Sequence, residues 1–117
     1  MEFVIAEDDV WLSAFGAVPQ TEEASGDDFV RELRIPVSVT EELHLTWDVN
    51  HRSVRFRYAR ATKAVTDLYR EGATLLTVGD QESGAMVVLK YRADGCRGRT
   101  CVRTQPAFAL KDTFLWS

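Results

Sequence analysis

The chain has 117 residues, a formal net charge of −4, 45% hydrophobic residues and 27% charged ones. That length suits a single domain, 1–117, whose core needs neither disulfides nor metal. No apolar run nears the ~20 residues of a membrane-spanning helix, and MEFVIAEDDVW does not read as a secretory signal, so a non-secreted protein is the default expectation, with a mature secreted fragment as the alternative.

EFVIA, residues 2–6, reads as a short strand, and EDDVWLSAFG as a short helix. Asp8 is placed to cap that helix, Trp11, Leu12 and Phe15 to share its buried face, and Gly16 to stop it. Residues 17–28, AVPQTEEASGDD, have the Pro, Gly, Ser and acid mixture of a mobile acidic loop. In FVRELRIPVSV the alternation of Leu33, Ile35, Val37 and Val39 with polar residues predicts a half-buried strand, and Pro36, which has no N–H to donate, places it at a sheet edge.

HLTWDVNHRSVRFRY, His44 to Tyr58, predicts a hairpin turning at Asn50–His51. The register then sets Asp48 opposite Ser53, Trp47 opposite Val54, Leu45 opposite Phe56 and Leu43 opposite Tyr58. All the apolar side chains fall on one face, so a one-residue slip is strongly disfavoured.

RATKAVTDLYREG, residues 60–72, admits two readings. The preferred one is a helix capped by Thr62 and stopped by Gly72, with a Lys63–Asp67 pair at i, i+4. The alternative is a strand of β-favouring residues without clean alternation. ATLLTV (73–78) is a strand, GDQESG a polar turn, and AMVVLKY (85–91) a central strand. Phe114, Leu115 and Trp116 in the tail are expected to dock on the body. The fold class is mainly β, an antiparallel sandwich or curled sheet of about six strands with one or two short helices.

Charge is spread unevenly. Residues 1–50 hold 12 Asp+Glu and 2 Lys+Arg, net −10, whereas 51–117 hold 12 Lys+Arg and 6 Asp+Glu, net +6. Cross-strand pairing between the halves is the preferred explanation, and separate charged surfaces for different partners the other.

The two cysteines bracket RGRT. A two-residue turn at Gly98–Arg99 would set Cys96 against Cys101 across a hairpin. Reduced thiols are the preferred state, with a disulfide second and metal binding with His44 or His51 third. Few cysteines and no signal imply a reducing, cytoplasmic setting. His44 and Asp48 on one strand, with Ser53 opposite, outline a triad only loosely, since no strained nucleophile turn accompanies them. Phosphate-loop, dinucleotide and zinc-protease motifs are absent, so no cofactor or metal is expected and an enzyme is the least favoured reading.

Two surfaces remain. An acidic set centred on Asp8, Asp9, Asp27 and Asp28 suits a small non-enzymatic interaction domain that covers a basic protein partner through charge complementarity, and the Pro36 edge strand offers a second route to a partner or to another copy of the chain. Immunity proteins cover nuclease toxins in that style, although no motif here assigns a family. The alternative is an arginine-rich sheet face with Arg55, Arg57, Arg97 and Arg99, flanked by an exposed Tyr91, that binds nucleic acid or another polyanion. The sequence pI near 5.1 weighs against it.

Overall fold

The computed structural model describes residues 2–23, 26, 28–81 and 84–116, and Asp27 lies outside the described residues. Ten strands and one helix follow in chain order: β1 (Val4–Ile5), α1 (Asp8–Phe15), β2 (Gln20–Thr21), β3 (Val30–Pro36), β4 (Glu41–Asp48), β5 (Ser53–Arg60), β6 (Lys63–Arg70), β7 (Ala73–Gln81), β8 (Gly84–Ala93), β9 (Cys96–Arg103) and β10 (Ala109–Trp116). They form two five-stranded sheets, ordered β1-β7-β8-β9-β10 and β2-β3-β4-β5-β6. Each is an antiparallel meander, apart from the two-residue parallel pairing of β1 with β7. The mainly-β expectation holds, with more strands than foreseen and a single helix. No helix among the described residues is long and apolar enough to cross a membrane.

The sheets bury one shared core. Leu33, Leu43, Leu45, Trp47, Val54 and Phe56 line the inner face of the β2–β6 sheet, and Leu76, Val87, Leu89, Tyr91 and Val102 that of the sheet of β1 and β7–β10. The β4–β5 hairpin has the expected register throughout, from Asp48↔Ser53 to Leu43↔Tyr58. Its turn differs from the expected one. Four residues, Val49–Arg52, make the connection, and the positive φ falls at Arg52. Asp48 Oδ1 accepts the N–H groups of Asn50 and His51 at 2.9 and 3.1 Å, and this side-chain acceptor shapes the turn in place of left-handed central residues.

Residues 60–72 are corrected from helix to strand. Arg60 pairs with Lys63 around Ala61 and Thr62, both at positive φ, so β5 and β6 join by a two-residue turn with positive φ at both central positions. Thr62 is therefore a turn residue, and Gly72 (φ 71) lies so close to β8 that an added Cβ would sit 2.0 Å from the Arg92 carbonyl oxygen.

Helix α1 has Glu7, not Asp8, at its N-cap, with no side-chain cap, and ends at Gly16 in the left-handed conformation. It buries one side chain completely. Trp11 donates Nε1–H to the Ala6 carbonyl at 3.1 Å and stacks on Trp47 with ring centroids 5.7 Å apart. Leu12, expected on the buried face, is exposed.

Strand β3 stops at Pro36, so Val39 stands fully in solvent within the β3–β4 connection while Val37 is buried. Pro36 does lie where the strand has an open side. β2 covers only Arg31 and Glu32, and the far end of β3 has no second neighbour among the described residues. β2 also gives the 17–28 loop a short ordered segment. In the tail, β10 pairs with β9 along its whole length; Phe114 packs edge-on against Tyr91 although half exposed, whereas Leu115 and Trp116 are exposed rather than docked.

Candidate interaction surfaces

The acidic residues cluster at one end of the sandwich. Glu7, Asp8 and Asp9 open α1, where carboxylates complement the helix dipole, and all three are exposed. With Arg31, Trp47 and Val49 they border an open depression of about 600 Å³. Arg31 binds Asp8 (Nη1–Oδ1 3.2 Å) and also donates to the Pro19 carbonyl, which anchors the helix start to β3. The Val49 N–H donates to the Phe29 carbonyl at 3.2 Å, so the exposed Asp28 and Phe29 adjoin this depression. Phe29 and Val49 are 53% and 43% exposed. Val49 thus stands with three carboxylates at the depression, a combination of apolar contact and charge that the acid count alone did not show.

The arginine set does not share a face. Arg55 and Arg57 lie on the outer face of β5, whereas Arg97 and Arg99 lie on the outer face of β9 in the other sheet. A sandwich puts these faces on opposite sides of the molecule, so the four cannot grip one ligand. Tyr91, expected to be exposed beside them, faces the core and is 3% exposed.

The two outer faces differ in kind. On the β2–β6 face cations meet carboxylates: Arg55 forks onto Asp67 at 2.8 and 2.6 Å, and Arg34 lies 3.3 Å from Glu32 and 3.5 Å from Glu42. Each of these pairs lies within one half of the chain, 1–50 or 51–117, and the expected pairing between the halves is represented on this sheet by Arg60 Nε, 3.6 Å from Glu41. Glu22, Glu32 and His44 there bring one ligand-type atom each within 4.8 Å of one another. Arg34 and Arg57 beside them already supply positive charge, and burial, followed by Arg34, lowers the His44 pKa against the opposing pull of Glu32.

His44 and Asp48 do not form a catalytic pair. Four residues along one strand separate them by about 13 Å. Asp48 is instead engaged by His51, whose Nδ1 lies 2.7 Å away. Burial alone would raise the Asp48 carboxyl, but the hydrogen bonds from the His51 backbone and ring, with their charge, hold it below the usual range.

The cysteines are both free. The proposed Gly98–Arg99 turn is corrected: β9 runs unbroken through it, and the turn lies at Asp94–Gly95 with Ala93 paired to Cys96. Five residues apart on one strand, Cys96 and Cys101 point to opposite faces about 16 Å apart, far beyond disulfide reach. Cys101 lies on the outer face of one sheet and His44 on that of the other, which also parts them as joint metal ligands.

No family model and no curated protein matches the chain. A solved structure does. The chain resembles, over 97% of its own length and 97% of the other's, a chain of the contact-dependent growth inhibition toxin–immunity protein complex from Klebsiella pneumoniae 342, with a TM-score of 0.81 and 10% sequence identity. At that identity the likeness is one of fold, and it establishes that this ten-stranded arrangement occurs in a protein that assembles with another protein.

Proposed function

We propose that this chain is a small, non-enzymatic protein-binding module that covers a basic patch on a partner protein with the acidic end of its sandwich. The observation that carries the reading is a depression bordered by Glu7, Asp8, Asp9 and the exposed Val49, with the exposed Phe29 joined to Val49 through its backbone. Apolar side chains at the centre supply desolvation energy, while the surrounding carboxylates steer a cationic partner and reject an anionic one. The structural neighbour, part of a toxin–immunity complex, supports a protein as the partner and a role in neutralising or regulating it. The expected setting is the cytoplasm, where two reduced cysteines are at home.

The test is affinity capture from native host lysate, nuclease-treated, with the wild-type chain and an Asp9→Lys/Asp28→Lys variant side by side. A basic protein held by the first and lost by the second supports the reading. Equal capture by both excludes the acidic end as the binding surface. Phe29→Ala, measured against the purified partner, should weaken binding by about tenfold or more if Phe29 is an anchor.

A further inference from the structure

The outer face of the β7–β10 sheet carries a second, oppositely charged surface. In register across β8, β9 and β10 lie Lys90↔Arg99↔Thr113 and, one pleat further, Arg92↔Arg97↔Leu115, with Lys111 on the next row beside Cys101. Like charges therefore stand directly opposite each other in two consecutive rows, an arrangement that destabilises a sheet. Lys90, Arg92, Arg97, Arg99 and Lys111 are all exposed, and none has an ion-pair partner among the described residues. Carboxylates were not scarce, since the chain holds 18 Asp+Glu. Yet among the described residues of β7–β10 none lies on an outward position: Asp112 faces inward and Asp80 sits on the inward-facing alternation. The opposite sheet, by contrast, matches Arg55 and Arg34 with carboxylates.

The face is also shaped. An open groove of about 540 Å³ runs between Lys90, Arg92, Arg97, Arg99 and Leu115. Tyr91 and Gly98 line it between the charged stems, and the buried Met86 and Val88 continue the outer face along β8 beyond it. Leu115, 60% exposed, adds an apolar contact at its rim.

We infer that this groove binds an extended acidic segment of a partner protein, with carboxylates on Lys90, Arg92, Arg97 and Arg99 and apolar side chains against Leu115. The spacing fits. Alternate side chains of an extended segment lie about 6.7 Å apart, the same interval that separates Arg97 from Arg99 along β9. Guanidinium pairs favour planar, bidentate carboxylate recognition. A nucleic acid fits less well, because among the described residues of β7–β10 the aromatic side chains Tyr91, Phe114 and Trp116 occupy the inward alternation, and Tyr91, which lines the groove, is only 3% exposed. The inference is independent of the acidic end, which lies elsewhere on the molecule and has the opposite sign.

The experiment is fluorescence anisotropy on the full chain with three labelled probes: a twelve-residue peptide alternating Glu with Leu, the same peptide with Lys for Glu, and a twelve-nucleotide single strand. The Glu peptide should bind, the Lys peptide should not, and an Arg97→Ala/Arg99→Ala variant should bind the Glu peptide about tenfold or more weakly. An Arg97→Lys/Arg99→Lys variant should recover part of that loss, which separates lost charge from lost fold. Backbone amide shifts induced by the Glu peptide in the wild-type protein should map to β8, β9 and β10. No Glu-peptide binding, tighter binding of the oligonucleotide, or shifts confined to the other sheet would each overturn the proposal.

Discussion

Arg70, on the edge strand β6 of one sheet, donates a hydrogen bond to Asp112, on the edge strand β10 of the other. The same carboxylate accepts from Tyr91 Oη at 2.8 Å and from Thr100 Oγ1 at 2.6 Å, and Arg70 Nε also donates to Tyr91 Oη at 3.2 Å. The guanidinium carbon lies 5.6 Å from the ring centroids of both Tyr91 and Phe114. A half-buried ion pair thus closes one side of the sandwich where two edge strands meet.

Burial alone would raise the Asp112 carboxyl, but the hydrogen bonds from Thr100, Arg70 and Tyr91 hold it below the usual carboxylate range. A depressed carboxyl contributes stability that is complete above its unfolded pKa, about 4, and is lost as pH falls through the folded value. Wild-type unfolding free energy should therefore drop in acid below about pH 4, and Asp112→Asn should flatten that limb while lowering stability at pH 7. Urea midpoints across the acid range decide it: an Asn variant with an unchanged acid limb would show that Asp112 is not the group responsible.

Gly98 is fixed by Tyr91. A Cβ at position 98 would lie 2.0 Å from Tyr91 Cζ, because the ring crosses directly over the β9 backbone. The φ of Gly98 is unremarkable, so the requirement is space alone. Gly98→Ala should cost about 1–3 kcal/mol by overpacking. The cost should shrink in a Tyr91→Leu background, where the ring is gone, and denaturant unfolding of the double-mutant cycle measures that coupling. Additive costs would mean that the ring is not what Gly98 makes room for.

The β4–β5 hairpin was legible because each apolar residue from Leu43 to Tyr58 falls on one side of a period-2 pattern, and only one register satisfies it. Helix α1 was legible from its Trp11 and Gly16. The β5–β6 turn was not, since Ala61 and Thr62 carry none of the Asn or Gly chemistry that marks positive φ, and the i, i+4 spacing of Lys63 and Asp67 imitates a helix. Asp67 actually crosses to Arg55 on the neighbouring strand, a pairing invisible without the turn. The cationic face was half-legible for a similar reason. Arginine spacing of two predicts a shared face within a strand, but which strands share a sheet depends on the long-range order, and that separated Arg55 and Arg57 from Arg97 and Arg99.

His44 supplies a second pH dependence, at milder acidity. Burial, and then the nearby Arg34, lower its pKa below the ordinary 6.5, and Nε2 is shielded without a hydrogen bond, 3.6 Å from Glu32. A histidine with a depressed folded pKa contributes stability that is complete above its unfolded pKa and fades as pH drops below about 6.5. The wild-type chain should lose urea resistance between about pH 7.5 and 5.5, and His44→Gln should remove that loss. An identical slope in the variant would assign the effect to another group.

The thiols of Cys96 and Cys101 lie five residues apart on β9 and on opposite faces, both half-buried and both free. Protein purified without reductant should titrate two thiols per chain under denaturing conditions, and the chain should remain free of an intramolecular disulfide under mild oxidant. A quantitative loss of both thiols without dimer formation would contradict the strand geometry of β9.

The turn between β5 and β6 is the place where local chemistry and fold disagree most. Ala61 (φ 50) and Thr62 (φ 67) both sit in the left-handed region. For residues with a Cβ that conformation costs roughly 1–2 kcal/mol each, and for the β-branched Thr62 the crowding is worse. What holds them there is the strand pairing on either side, together with the Ala61 N–H donating to the Thr40 carbonyl at 2.7 Å. Replacing Ala61–Thr62 by Asn-Gly keeps that backbone donor and supplies two residues that adopt positive φ readily. The Thr62 hydroxyl bond to the Ala61 carbonyl is lost, an exposed contact of small worth. The double substitution should raise stability by about 1 kcal/mol, seen as a higher urea midpoint with an unchanged slope. A fall in the midpoint would mean that Thr62 makes a contribution its exposed position does not reveal.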